Sequence, residues 1–114
     1  MENHLHEKAT ILVVDDTPEN IDVLSGVLRA EYKVKAALNG AKALRIAGAD
    51  PRPDMILLDV LMPEMDGYEV CRQLKSRSET AAIPVIFLTC KDGQDDESVG
   101  LQMGAVDFVR KPSS

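Results

Sequence analysis

Apolar and polar residues alternate in blocks along the chain, and these blocks predict five short strands. Each apolar run is short and bounded by turn residues, which suits a strand that is buried on both faces of a sheet. The predicted strands span 10–14, 32–38, 55–58, 83–88 and 105–109. Asp59 directly follows the third of them, so we expect its carboxyl group to lie where that strand leaves the core.

Apolar residues at helical spacing separate the strands and predict four helices. The first begins at Pro18, with Asp16 or Thr17 as its cap, because proline is favoured in the first turn of a helix. Its buried face is predicted to consist of Ile21, Leu24, Val27 and Leu28. The other three helices are predicted over 39–48, 67–76 and 92–104.

The alternation of strands with helices predicts the architecture. Consecutive parallel strands need a crossover, and right-handed helical crossovers cover both faces of the sheet. We therefore predict a doubly wound α/β fold with five parallel strands. No internal repeat or linker divides the chain, so residues 10–114 are predicted to form one domain behind a flexible tail of residues 1–9.

Composition and charge narrow the classes of function. The chain has 114 residues, a formal net charge of −6 and a pI of about 4.8, and its cationic residues are scattered along the sequence rather than grouped in a basic run. A nucleic-acid or anionic-membrane surface would need a basic face. No apolar run reaches the ~20 residues of a membrane span, and the first residues do not form a signal peptide. We therefore expect a cytoplasmic domain that contacts neither nucleic acid nor membrane.

Polar side chains collect at the carboxyl ends of the predicted strands. The first strand ends at Asp15 and Asp16, the third at Asp59, the fourth at Thr89 and the fifth at Lys111. Taken singly, each has an ordinary structural explanation, such as capping a helix or facing solvent. In a parallel sheet, however, these ends lie on one edge, which is where ligands bind in open α/β sheets.

The chemistry of these five residues favours a phosphoryl site. Three nearby carboxylates repel one another unless a cation lies among them, and hard oxygen ligands suit Mg²⁺. A phosphoryl group there would contact the metal, the Lys111 ammonium and the Thr89 hydroxyl. A carboxylate can itself act as the nucleophile and form an aspartyl phosphate.

Four motifs in register then resemble the receiver domain of two-component response regulators. They are ILVVDD at 11–16, LLDVLMPEMDG at 57–67, VIFLT at 85–89 and GAVDFVRKP at 104–112. The resemblance covers about 10–112. It implies the flavodoxin-like receiver fold with strand order 2-1-3-4-5.

The resemblance also implies a role for each site residue. Asp59 would be the phosphoacceptor, Asp16 would bind Mg²⁺ (or Mn²⁺) directly, and Asp15 would bind it largely through water. The backbone carbonyl of Leu61 would be a further metal ligand. Thr89 would bond the phosphoryl oxygen.

Two residues near the end of the chain complete the implied machinery. Lys111 would pair with the acceptor or its phosphate, and its bond to Pro112 would be cis. Phe108 stands where the family has an aromatic switch residue that follows the movement of Thr89. Phenylalanine lacks the hydroxyl of the commoner tyrosine, so a contact through a hydroxyl group is not available.

The implied function is a phosphorylated switch rather than an enzyme. A histidine kinase or a phosphotransfer protein in a phosphorelay would pass its phosphoryl group to Asp59. Transfer and hydrolysis would be self-catalysed, and the change at Thr89 and Lys111 would bias a two-state equilibrium. A downstream output domain or partner protein would read the altered surface.

The chain departs from the family pattern at its end. Receivers continue after the Lys-Pro pair with a fifth helix, whereas this sequence stops at Ser114. We therefore expect a receiver truncated after its fifth strand. We also expect the face that the missing helix would cover to be buried in a homodimer.

Two alternatives are kept. A haloacid dehalogenase-like phosphohydrolase would also use a strand-end acid, Mg²⁺ and a lysine, but its nucleophile would lie on the first strand, at Asp15. A non-phosphorylated flavodoxin-like interaction domain would retain only the scaffold.

Overall fold

The computed structural model describes residues 8–89, 104 and 107–110. Its strands are β1 Thr10–Val14, β2 Lys33–Ala37, β3 Met55–Asp59, β4 Val85–Thr89 and β5 Asp107–Arg110. Its helices are α1 Pro18–Leu28, α2 Gly40–Ala47 and α3 Gly67–Ser76. The predicted fourth helix over 92–104 lies outside the described residues except for Gly104, and the predicted tail is described only at residues 8 and 9.

The sheet confirms the predicted α/β architecture. Its five strands are parallel in the order β2-β1-β3-β4-β5. Val14 pairs with Leu58 between β1 and β3, and Asp59 pairs with Leu88 between β3 and β4. Because these registers are in step, the residues that follow β1, β3 and β4 meet at one edge of the sheet.

Strand boundaries differ from the prediction by one to two residues in several places. β4 begins at Val85 rather than at residue 83, because Pro84 has no N–H to donate to the ladder. β3 and β4 also extend to include Asp59 and Thr89, which were predicted to follow them. β5 covers Asp107–Arg110 rather than 105–109.

Each face of the sheet has its own apolar core. On one face α2 and α3 pack through residues that include Leu44, Val70 and Leu74. On the other face Ile21 of α1 packs with inward-facing residues of β1, β3 and β4. Several further side chains on this second face are only half-buried: Val34, Met55 and Ile86. In the part of the chain that the structure describes, no helix has the length and apolarity needed to cross a membrane.

The predicted buried face of α1 was wrong at one position. Val27 has 72% of its surface exposed, whereas Ser25 is buried with 4% exposed. Val27 lies two residues beyond Ser25, which at about 100° per residue turns it to the opposite side of the helix. Thr17 is the N-cap residue, as predicted, but its side chain makes no capping hydrogen bond.

The amino-terminal edge of the sheet carries basic residues. A cavity of about 700 Å³ lies there, lined among others by Lys33, Lys35 and Arg52. The Lys35 ammonium donates to the carbonyl of Pro51 at 2.8 Å. Since β2 is an edge strand, its lysines are the kind of charge that keeps such an edge from pairing with other chains.

Ser25 provides a test of the packing of α1. Its buried hydroxyl has no hydrogen-bond partner among the described residues, and such a group costs about 1–3 kcal/mol. Ser25→Ala should therefore raise the free energy of unfolding by about 1 kcal/mol, with help from the higher helix propensity of alanine. Urea unfolding followed by circular dichroism measures the change.

The matched control is Ser76→Ala at the exposed end of α3. The Ser76 hydroxyl donates to the carbonyl of Gln73 at 2.8 Å in contact with solvent, so its removal should change stability little. A loss of stability in Ser25→Ala would contradict the packing described for α1.

Candidate phosphoryl-acceptor site

The first acidic residue of the site is locked into the loop between β1 and α1. Asp15 is fully buried. Its Oδ1 accepts a hydrogen bond from the backbone N–H of Thr17 at 2.9 Å, which forms an Asx turn. Its Oδ2 accepts a hydrogen bond from the side-chain amide of Asn20 at 3.2 Å. The carboxylate therefore holds the turn that starts α1, while the neighbouring Asp16 is exposed to solvent.

Asp59 ends β3 at the centre of the sheet. Only 1% of its surface is exposed. Its Oδ1 accepts a hydrogen bond from the backbone N–H of Leu61 at 3.3 Å. The Leu61 side chain, with 54% exposed, points away from the core, so this residue contributes its backbone to the site.

The loop that follows Asp59 is fixed by a close backbone approach at Gly67. The Gly67 N–H donates to the Val60 carbonyl at 2.8 Å, and the Asp66 side chain caps α3 by accepting from the Glu69 N–H at 2.9 Å. A Cβ on Gly67 would overlap the backbone oxygen of Asp59 and lie 2.9 Å from the Val60 Cα. Only glycine allows α3 to start this close to the end of β3.

The three carboxylates converge as the sequence predicted. Asp15, Asp16 and Asp59 each offer a carboxylate oxygen, and these oxygens lie within 4.8 Å of one another. The set combines two buried carboxylates with one exposed carboxylate. An all-oxygen set that is partly open to solvent fits a hard divalent cation that keeps some of its water, such as Mg²⁺.

Thr89 lies at the same edge. It is the last residue of β4, is buried with 4% exposed, and pairs with Arg110 in β5. Phe108 pairs with Phe87 through the backbone. The side chain of Phe108, all of Lys111 and the Lys111–Pro112 bond lie outside the described part of the chain.

The one described cysteine does not compete with the carboxylates as a nucleophile. Cys71 lies in α3 and is fully buried, and this burial raises the pKa of its thiol. A raised pKa keeps the thiol protonated at neutral pH, and the thiolate is the reactive form.

Comparison with known proteins identifies the family. The model of the response regulator receiver domain matches residues 11–114. The chain belongs to the response regulator receiver family. A probable cyclic di-GMP phosphodiesterase of Vibrio cholerae is 50% identical over 107 residues, which are 94% of this chain and 24% of that protein. The response regulator PleD of Caulobacter vibrioides is 50% identical over 105 residues, which are 91% of this chain and 23% of that protein.

A solved receiver structure shows the same fold together with a metal. It is the receiver domain of the sensor histidine kinase PA1611 from Pseudomonas aeruginosa, with a magnesium ion coordinated in its active-site cleft. It is 34% identical, covers 95% of this chain and 88% of its own, and superposes with a TM-score of 0.82. The receiver interpretation is thus supported, and the hydrolase and inert-scaffold alternatives are not.

Two residues that shape the site were not among the predicted site residues. Asn20 and Gly67 are not at strand ends, so a search of strand ends for reactive groups passes over them. Gly67 belongs to the quoted family motif, but its close approach to the Asp59 carbonyl appears only in three dimensions. The bond from Asn20 to Asp15 depends on the geometry of the loop between β1 and α1.

Gly67→Ala should destabilise the domain by about 1–3 kcal/mol or more, because the added methyl group overlaps backbone atoms that cannot move independently. Gly26→Ala in α1 is the matched control. Its Cβ would meet nothing within 4 Å, and alanine should stabilise this helix by about 0.5–1 kcal/mol. Denaturant unfolding of both variants should give changes of opposite sign, and equal changes would contradict the packing at Gly67.

Proposed function

We propose that Asp59 is the phosphoacceptor of a two-component receiver domain. The observation that carries the proposal is the meeting of Asp15, Asp16 and Asp59 at the carboxyl edge of the sheet. Asp59 is the central member because it ends the middle strand, between β1 and β4. A carboxylate can act as the nucleophile toward a phosphoryl group and form an aspartyl phosphate.

The same carboxylates would hold a divalent cation, Mg²⁺ or Mn²⁺. Asp16 is the exposed member and would bind the metal directly, whereas buried Asp15 would act largely through water. Asp59 and the backbone carbonyl of Leu61 would complete the protein ligands. When bound, the cation would neutralise the negative charge that develops on the transferring phosphoryl oxygens.

Three residues have separate roles in the transfer reaction. An oxygen of Asp59 forms a bond to phosphorus as the bond between phosphorus and the donor nitrogen of a phosphohistidine breaks. The Thr89 hydroxyl and the Lys111 ammonium would bond the new phosphoryl oxygens. Hydrolysis reverses the state when water attacks phosphorus and Asp59 leaves as a carboxylate.

Phosphorylation would switch the domain between two conformations. Inward movement of Thr89 and Lys111 toward the new charge would couple the site to the side chain of Phe108 and so to the surface near β5. The coupling is a bias on an existing equilibrium, set by how much better the phosphoryl group contacts one of the two states.

Partners follow from this chemistry. The phosphodonor would be a histidine kinase or a phosphotransfer protein, and the readout would be a downstream output domain or partner protein. The chain spans about a quarter of the length of the first curated relatives it matches, so their cyclic-dinucleotide and regulatory activities belong to whole proteins. We place the domain in the cytoplasm, and its homodimer remains a prediction that sedimentation would test.

Asp59→Asn should abolish phosphorylation. After incubation with acetyl phosphate and Mg²⁺, intact mass spectrometry of the unchanged protein should detect one added, alkali-labile phosphoryl group, and the variant should show none. The amide retains the shape of the carboxylate but is a poor nucleophile.

Asp54→Asn is the matched control at the opposite end of β3. The Asp54 carboxylate accepts a hydrogen bond from the Thr10 N–H at 2.8 Å, and an asparagine oxygen can accept the same bond. This variant should be phosphorylated normally. An adduct that persists in Asp59→Asn would overturn the assignment of the acceptor.

A further inference from the structure

We infer that Asn20 is a positioning residue for the acidic site, which it serves by fixing the orientation of the Asp15 carboxylate. The inference rests on the proposed metal site and goes beyond it by assigning a residue outside the five reactive groups. Asn20 lies in the first turn of α1 and is half-buried. Its side-chain amide donates to Asp15 Oδ2 at 3.2 Å.

The other oxygen of the Asp15 carboxylate is hydrogen-bonded as well. Asp15 Oδ1 already accepts from the backbone N–H of Thr17 at 2.9 Å. The bonds from Thr17 and Asn20 reach the two oxygens from different directions, so together they restrain rotation of the carboxylate about its Cβ–Cγ bond. Asn20 therefore helps to set which lone pairs of Asp15 face Asp16 and Asp59.

Asn20 also reduces the repulsion within the site. Asp15 is fully buried beside two other carboxylates, so its charge is poorly solvated. The amide N–H is a neutral donor, so it stabilises the anion without adding a cation that would compete with a bound metal. A lysine or arginine at this position would neutralise Asp15 outright.

The position of Asn20 links the site to the start of α1. Its backbone N–H donates to the carbonyl of Thr17 at 3.1 Å, and the Thr17 N–H donates to Asp15. Residue 20, the helix start and the carboxylate thus form one closed set of hydrogen bonds. Groups that orient metal ligands in this way commonly change metal affinity by about 10–100-fold when they are removed.

The test measures Mg²⁺ binding by calorimetry. Asn20→Leu retains the approximate size of the side chain but removes the donor, and it should raise the Mg²⁺ dissociation constant about 10-fold. Asn20→Gln retains the donor and should lie between the leucine variant and the unchanged protein. Phosphorylation by acetyl phosphate should be slow in Asn20→Leu at limiting Mg²⁺ and approach the normal rate at saturating Mg²⁺.

Asn39→Ala separates positioning from general loss of stability. Asn39 caps α2 by accepting from the Lys42 N–H at 2.8 Å, so its removal weakens a helix start without touching Asp15. Its Mg²⁺ affinity should equal that of the unchanged protein.

Two results would overturn the inference while leaving the proposed function intact. They are an unchanged Mg²⁺ affinity in Asn20→Leu, and an equal loss of affinity in Asn39→Ala. Absence of Mg²⁺ binding in the unchanged protein would instead contradict the metal site on which both proposals rest.

Discussion

The mutual repulsion of three carboxylates is the constraint on which the site depends. Two unit charges 4 Å apart repel by about 1 kcal/mol in water and about 4 kcal/mol at the effective dielectric of a protein surface. Asp15, Asp16 and Asp59 bring their oxygens within 4.8 Å, and two of them are buried. The fold must hold these groups together against that repulsion, and a divalent cation would relieve it.

Several features of the fold supply the necessary restraint. The parallel register of β1 and β3 brings the ends of both strands to one edge. Gly67 lets α3 begin directly against the backbone of Asp59. Thr17 and Asn20 hold the Asp15 carboxylate from two sides. Each restraint acts on the backbone or on a buried side chain, so even a small substitution there would change the positions of the site carboxylates.

Much of the fold and of the site could be predicted from local patterns. Short apolar runs alternate with segments of helical spacing, and this pattern predicted the order of the strands and helices. The polar residues at the strand ends, Asp15, Asp16, Asp59 and Thr89, were predicted to lie at one edge of the sheet. The orientation of individual side chains was harder to predict from the sequence. Leu24 and Val27 are both apolar and near one another in sequence, yet only the geometry of the docked helix shows that Val27 faces solvent while Ser25 is buried. The bond from Asn20 to Asp15 likewise depends on a loop conformation that has no periodicity to reveal it.

The central claim is that the three carboxylates form one divalent-cation site, and thermal unfolding with and without Mg²⁺ tests it most directly. A ligand that binds only the folded state stabilises it by RT ln(1 + [L]/Kd), which is about 2.7 kcal/mol at 100 times the Kd. The midpoint temperature of unfolding should rise with the logarithm of Mg²⁺ concentration in the unchanged protein and far less in Asp16→Asn. A midpoint that is independent of Mg²⁺, or an equal rise in both proteins, would contradict it.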